Sequence, residues 1–469
     1  MHSVFEVVHA ESGRDHEDAR AREQRTGLVH GDARQARTLI LLTGVPGSGK
    51  TLAGLQVVHG AIDSGVEAEG DIVYLSGNTP LVVVLREALA RDEHRRLREA
   101  GEPSQLANVR NSVRARIQHI IDFLKEYLVD SDERPPHEHV IVFDEAQRAW
   151  DAKFGQQKFE RPASEPQLLI EIMGRHADWC VLVCLVGGGQ EINTGENGMA
   201  EWGSAIRALP PEVASRWHVI GPPDILAGDE TTAGLGLGSL PSTVDVSEDP
   251  SLSLYVSLRS YRSPAVSGWV GAVVEGDRAR ASHLAGELDD YPIGLTRSLD
   301  QARSWLRDRA RGERRCGLLA SSGARRLRAD GLGVTLNATD GNKIAQWYLN
   351  DLGDVRSSSA LEVTANEYTS QGLELDFCGL CWGGDLVWDG VNWHYRRFHG
   401  DRWVQVGQGD RRRFIQNSYR VLMTRAREGL VIWMPEGSQT DSTRDPEPLD
   451  RTAEFLVACG VEVLPTEDD

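Results

Sequence analysis

The run Gly44-Val45-Pro46-Gly47-Ser48-Gly49-Lys50-Thr51 constrains this chain more than any other stretch. It follows the apolar residues 38–42 and precedes Leu52-Ala53-Gly54-Leu55, so it reads as strand, glycine-rich turn and helix start. The spacing is that of a phosphate-binding P-loop. Glycines let consecutive backbone N–H groups point into one concavity, which suits the oxygens of a triphosphate. The helix start adds unpaired N–H donors and the positive end of its dipole. Lys50 can reach the β- and γ-phosphates, and the Thr51 hydroxyl suits a magnesium ion. Gly44, Pro46, Gly47, Ser48, Gly49, Lys50, Thr51 and Leu52 are therefore the candidate nucleotide contacts.

A chain of 469 residues is long enough for about two to three domains. Its net charge of −19 argues against a generally basic nucleic-acid coat protein. A local basic groove remains compatible with that charge. The six cysteines (Cys180, Cys184, Cys316, Cys378, Cys381 and Cys459) are too sparse for a disulfide framework, which points to a reducing compartment. Cys378-x-x-Cys381 has the spacing of a zinc half-site, but no second pair follows and both residues lie in a strand-like stretch. Buried apolar thiols are the expectation there, ahead of a metal or redox role. No apolar run approaches the roughly twenty residues of a membrane span. The first residues lack a basic segment followed by an apolar core. A cytoplasmic location with no membrane partner is expected.

Residues 1–37 form a charged lead-in. Strands are expected over 71–76, 140–143 and 181–186, and helices over 81–98 and 113–129. Continuous apolar strands separated by helices imply a parallel sheet covered by helices on both faces. This gives an α/β fold with a first domain over 38–220. Residues 221–250 are rich in Gly, Pro, Ser and Thr and read as an interdomain connection. A second α/β domain follows over 251–469, with strands at 316–320, 374–378 and 429–433 and a tryptophan-rich β insertion at about 379–407.

Asp144-Glu145-Ala146-Gln147 directly follows the strand at 140–143. Ligands bind at the carboxyl ends of parallel strands. Asp144 is the candidate magnesium ligand. Glu145 is the candidate general base toward the attacking water. After the strand at 181–186, Gly187-Gly188-Gly189-Gln190 could aim Gln190 at a γ-phosphate or its water. Farther along stand Ser260-Tyr261-Arg262-Ser263, then Gln371-Gly372-Leu373-Glu374 before a strand. Residues 419–427 read as a helix with Arg425 one turn from Val421.

Taken together, this ordered set resembles superfamily 1 helicases, and within them the Schlafen-like DNA/RNA helicase domain family. The P-loop corresponds to the first motif and Asp144-Glu145-Ala146-Gln147 to the second. Gly187 to Gln190, with the residues to Glu196, looks like the third. Ser260-Tyr261-Arg262-Ser263, Gln371-Gly372-Leu373-Glu374 and residues 421–427 look like the fourth, fifth and sixth. The resemblance covers most of residues 38–435. It implies two RecA-like P-loop NTPase domains with ATP and Mg2+ between them. Lys50, Glu145, Gln190, Arg262 and Arg425 would be the catalytic residues. Arg262 and Arg425 would act as arginine fingers on the transferring γ-phosphoryl group. Gly372 and Glu374 would lie near the nucleotide or the bound strand. Asn78 would occupy a position that touches single-stranded DNA or RNA.

Some features depart from the pattern. Gly188 stands where many superfamily 1 members have Asp, which leaves the positioning of water or metal open. The upstream glutamine that reads adenine has no clear counterpart; Gln24 is a candidate, and base preference stays open. Many relatives carry a nuclease or other domain upstream, so protein partners or an effector supplied in trans fit the pattern. Basic clusters at 95–98, 307–315, 325–328 and 411–413 read first as solvated helix faces. Trp382, Trp388, Trp393, Tyr395 and Trp403 could stack on bases, or could stabilise strands. The expected function is an ATP-dependent helicase or single-strand translocase. Its rivals are a nucleic-acid-activated ATPase switch in sensing or defence, a P-loop phosphotransferase and a nucleotide-binding scaffold without turnover.

Overall fold

A computed structural model describes residues 37–44, 48–63, 72–128, 133–187, 198–227, 236–254, 263–288, 290–333, 335–407 and 409–465. Gln24, Pro46, Gly47, Gly188, Gln190 and Arg262 lie outside the described residues. The chain divides into two compact units. One is Met1–Gly77 with Leu89–Leu258, and the other is Asn78–Ala88 with Arg259–Asp469.

The first unit is built on eight strands: β1 (Arg37–Gly44), β2 (Ile72–Ser76), β3 (Ile117–His119), β4 (Val140–Asp144), β5 (Cys180–Gly187), β6 (Trp217–Gly221), β7 (Asp245–Glu248) and β8 (Ser253–Leu254). They lie in the order β3-β2-β4-β5-β1-β6-β7, with β8 on β1, and every pair is parallel. Successive strand residues face opposite sides of a sheet. All five residues of β4 and seven of the eight in β5 are buried, so both faces are covered. Leu39, Leu41, Val73, Ile141, Phe143, Leu182 and Cys184 form the centre of this core.

Two expectations are corrected here. Residues 113–129 are not one helix: helix Leu106–Arg116 ends as the chain enters β3, and helix Ile120–Leu128 follows. The β-branched, apolar Ile117 pairs with Tyr74 of β2, and this edge pairing overrides the helical pattern. The described residues of 221–250, expected as an interdomain connection, carry regular structure. They hold helix Pro223–Ala227 and strand β7, whose pairing runs His218↔Asp245 to Gly221↔Glu248, and Leu237 is fully buried. Leu237 packs against helix Met199–Arg207. A Cβ added to Gly203 would stand 1.8 Å from Leu237 O.

The second unit holds β9 (Ile293–Thr296), β10 (Cys316–Ala320), β11 (Thr364–Ala365), β12 (Leu375–Cys381), β13 (Leu386–Trp388), β14 (Trp393–His399), β15 (Arg402–Gln405), β16 (Ala426–Trp433) and β17 (Glu462–Val463). Its main sheet has the order β11-β10-β12-β16-β9-β17, again all parallel. Together the two parallel α/β units give the RecA-like fold class. The tryptophan-rich stretch forms an antiparallel sheet, β13-β14-β15, which begins later than expected because residues to Cys381 belong to β12.

Its aromatic rings pack inward. Trp382 stacks on Trp393 and lies tilted against Tyr419, with ring centroids 5.8 and 4.5 Å apart, and Trp388 stacks on Phe455 at 4.1 Å. Indole N–H groups of Trp382, Trp393 and Trp403 donate to backbone carbonyls of Leu386, Val273 and Thr443. These contacts stabilise the strands, the second of the two expected roles. The six cysteines are buried and unpaired, and burial pushes the Cys378 and Cys381 thiols up, away from thiolate chemistry. Among the described residues no helix is long and apolar enough to cross a membrane.

Candidate nucleotide site

The first unit gathers its polar residues at the carboxyl ends of β1, β4 and β5. β1 ends at Gly44, and helix Lys50–Asp63 begins a few residues later. Gly44 has to be glycine because β8 pairs alongside it: a Cβ there would lie 2.8 Å from Leu254 Cβ and 2.4 Å from Ser48 Oγ. Gly49 takes φ of +90°, which favours glycine and turns the chain into the helix. Lys50 Nζ donates to Gly44 O at 2.7 Å, holding the ammonium across the mouth of the loop. Ser48 Oγ is buried with no hydrogen-bond partner among the described residues. Leu52 is half exposed.

Asp144 closes β4. Its Oδ2 accepts from Thr51 Oγ1 at 3.2 Å and from Tyr74 OH at 2.5 Å, and its Oδ1 accepts from Glu145 N at 3.0 Å. Burial, with the Glu145 charge beside it, pushes the Asp144 carboxyl up to about 6. Burial and the same carboxylate push Tyr74 well above the usual phenol range, so it stays a donor. Glu145 sits in the left-handed region at φ +58°, an uncommon place for a non-glycine residue. That turn swings its side chain toward Gln147, whose Nε2 donates to Glu145 Oε2 at 2.6 Å. Gln147 Oε1 in turn accepts from Gly187 N at 2.9 Å. A Cβ on Gly187 would come within 3.0 Å of Gln147 Nε2. The third motif is thus tied to the second through Gln147.

These groups fit a nucleoside triphosphate with its metal. Thr51 and Asp144 offer the hard oxygen donors that magnesium takes. Ser48 has a buried hydroxyl with no partner among the described residues, beside a helix N-terminus. Tyr74 and Gln147 are the residues that sequence reasoning missed. Gln147 stood inside the quoted motif, so the Glu-x-Gln spacing was the available signal. Tyr74 had none, since its partner depends on the β2–β4 register Ser76↔Asp144.

In the second unit the fifth and sixth motifs lie together because β12 and β16 are neighbours that start side by side, Leu375↔Ala426. The expected helix over 419–427 is corrected: helix Asp410–Met423 ends before Arg425, which stands in the turn into β16. Arg425 is buried. Its Nε donates to Val421 O at 3.0 Å, and Nη1 to Ser370 O and Leu373 O at 3.4 Å each. Gly372 takes φ of +71°, and a Cβ there would stand 2.5 Å from Asn78 Nδ2. Asn78 Nδ2 donates to Gln371 O at 2.9 Å, while its Oδ1 accepts from Leu81 N. Glu374 accepts from Arg427 Nε at 3.2 Å. Asn78, Arg425 and Arg427 therefore all bond to residues 370–374, the stretch that holds Gly372 and Glu374.

The chain is similar to the helicase Lhr of Mycobacterium smegmatis, solved bound to ssDNA and AMP-PNP, at 12% identity and a TM-score of 0.32. That likeness covers 92% of this chain and 47% of the other, so the chain spans less than half of that helicase. No curated protein matches. The profile of the Schlafen group 3, DNA/RNA helicase domain matches residues 37–436, most of the chain's length. The chain belongs to the Schlafen group 3 DNA/RNA helicase domain family.

Proposed function

We propose that the chain is an ATP-hydrolysing motor of the superfamily 1 kind that moves along, or remodels, a single strand of DNA or RNA. One observation carries this reading: Thr51, Asp144, Glu145 and Gln147 form a continuous hydrogen-bonded set where β1, β4 and β5 end. Thr51 and Asp144 would hold a magnesium ion, which when bound neutralises charge on the β- and γ-phosphate oxygens. Lys50 exchanges its bond to Gly44 O for the phosphates. Glu145, oriented by Gln147, accepts the proton of the attacking water. Arg262 and Arg425 supply positive charge to the transferring phosphoryl group, and Gln190 helps place the water. An inert scaffold has no use for a glutamate held as Glu145 is, and a phosphotransferase would not need Arg262 and Arg425.

The family supports a nucleic-acid partner for this ATPase. Strand displacement on a tailed duplex tests the motor reading. ATP-dependent displacement, lost in Lys50→Ala, is expected. Hydrolysis stimulated by single strands with no displacement or translocation would replace the motor with a switch.

A further inference from the structure

The first unit carries a second polar cluster at the opposite end of its sheet. His139 immediately precedes β4, whose last residue is Asp144. At about 3.3 Å per strand residue, the two lie about 17 Å apart along that strand. Asp178 and Trp179 immediately precede β5, the neighbour of β4, and His139 O accepts from Val181 N at 2.8 Å. His176 stands two residues before Asp178. Sheet register therefore brings the three side chains together, and one ligand atom from each of His139, His176 and Asp178 lies within 4.8 Å of the others.

We propose that His139, His176 and Asp178 form a binding site for a zinc-class transition-metal dication. His139 Nε2 is 3.5 Å from Asp178 Oδ1. Ligand atoms on a tetrahedral ion with bonds near 2.1 Å stand roughly 3.4 Å apart. Closing the set needs an adjustment of up to about 1.4 Å by that measure, and Asp178, 57% exposed, is placed to make it. His176 is buried, and its Nε2 lies 3.1 Å from Glu138 O. A carbonyl only accepts, so Nε2 carries the proton and the lone pair falls on Nδ1. A ring nitrogen bonded to a backbone carbonyl is how proteins orient a metal-binding histidine. The rings of His139 and His176 lie 4.1 Å apart and Trp179 backs His139 at 4.7 Å, which fixes the imidazoles before any ion arrives. Arg37 Nη2 donates to His176 O and pins the same turn. Two imidazoles and one carboxylate, with water completing the shell, suit zinc better than magnesium or calcium. An ion there would clip together the starting ends of two central strands.

The test is equilibrium dialysis of the full chain against zinc(II) in excess magnesium, with cobalt(II) as the spectroscopic probe. One zinc per chain is expected, with affinity falling at least tenfold in Asp178→Asn and in His139→Phe, which keeps the ring stack but removes the ligand. Zinc should raise the thermal midpoint of the wild type and not that of the double variant. Cobalt should show visible bands without thiolate charge transfer. Equal zinc binding by wild type and double variant, no zinc bound by the wild type, or a thiolate band from the cysteines would each overturn the site.

Discussion

Asp144 shows how one residue's surroundings act on its charge. Its carboxylate is buried, which opposes its charge, yet three donors converge on it. Replacing Tyr74 by Phe removes one donor and leaves the buried group short. A hydrogen bond to a charged group contributes about 1.5–3 kcal/mol, so Tyr74→Phe should lower the urea midpoint above pH 7, where Asp144 is ionised; an unchanged midpoint would mean the bond is not formed. Gln147→Ala should act differently, because Gln147 touches Glu145 and Gly187 rather than Lys50. Loss of such a supporting contact typically lowers activity 10–100-fold, so kcat should fall by about that factor while KM for ATP holds; parallel loss of both would mean that Gln147 binds the ground state. For Arg425→Ala, turnover should likewise slow much more than nucleotide binding weakens. Lys50, Thr51, Asp144 and Glu145 were legible in sequence because each motif is contiguous. Tyr74 was not, because strand register, and not spacing, delivers it to Asp144.

At the level of elements, the apolar strands were the readable part. β2, β4, β5, β10 and β16 stand where continuous apolar runs predicted them, give or take a few residues. What escaped was set by tertiary pairing. β3 interrupts a helical pattern because it finds an edge on β2, and the segment after β6 packs because Leu237 meets Gly203. That contact gives a prediction with an unusual sign. Alanine in place of a helical glycine ordinarily stabilises by roughly 0.5–1 kcal/mol. Gly203 lies in helix Met199–Arg207, and its Cβ would strike Leu237 O at 1.8 Å. Gly203→Ala should therefore destabilise the first unit by about 1–3 kcal/mol, as overpacking does, in a denaturant melt. Stabilisation instead would return residues 236–238 to the status of a loose connection.

Across the whole molecule, two parallel α/β units and the ordered motifs were visible in the sequence, and the family match spans the same residues. The nucleic-acid surface was not visible. Of its most conspicuous candidates, Trp382 and Trp393 lie in the core of the second unit with Trp388 packed against it, where indole rings stabilise a small antiparallel sheet. Arg95 and Arg96 pair with Asp92 along one exposed helix face, as solvated arginines do. Nucleic-acid control of hydrolysis is therefore the claim to measure. The decisive experiment follows ATP turnover by the full chain with and without single-stranded DNA or RNA, beside Glu145→Gln. Turnover should rise at least tenfold with one of the polymers, while Glu145→Gln binds ATP but hydrolyses it no faster with polymer than without. Turnover equal with and without either polymer, or full activity in Glu145→Gln, would contradict the account.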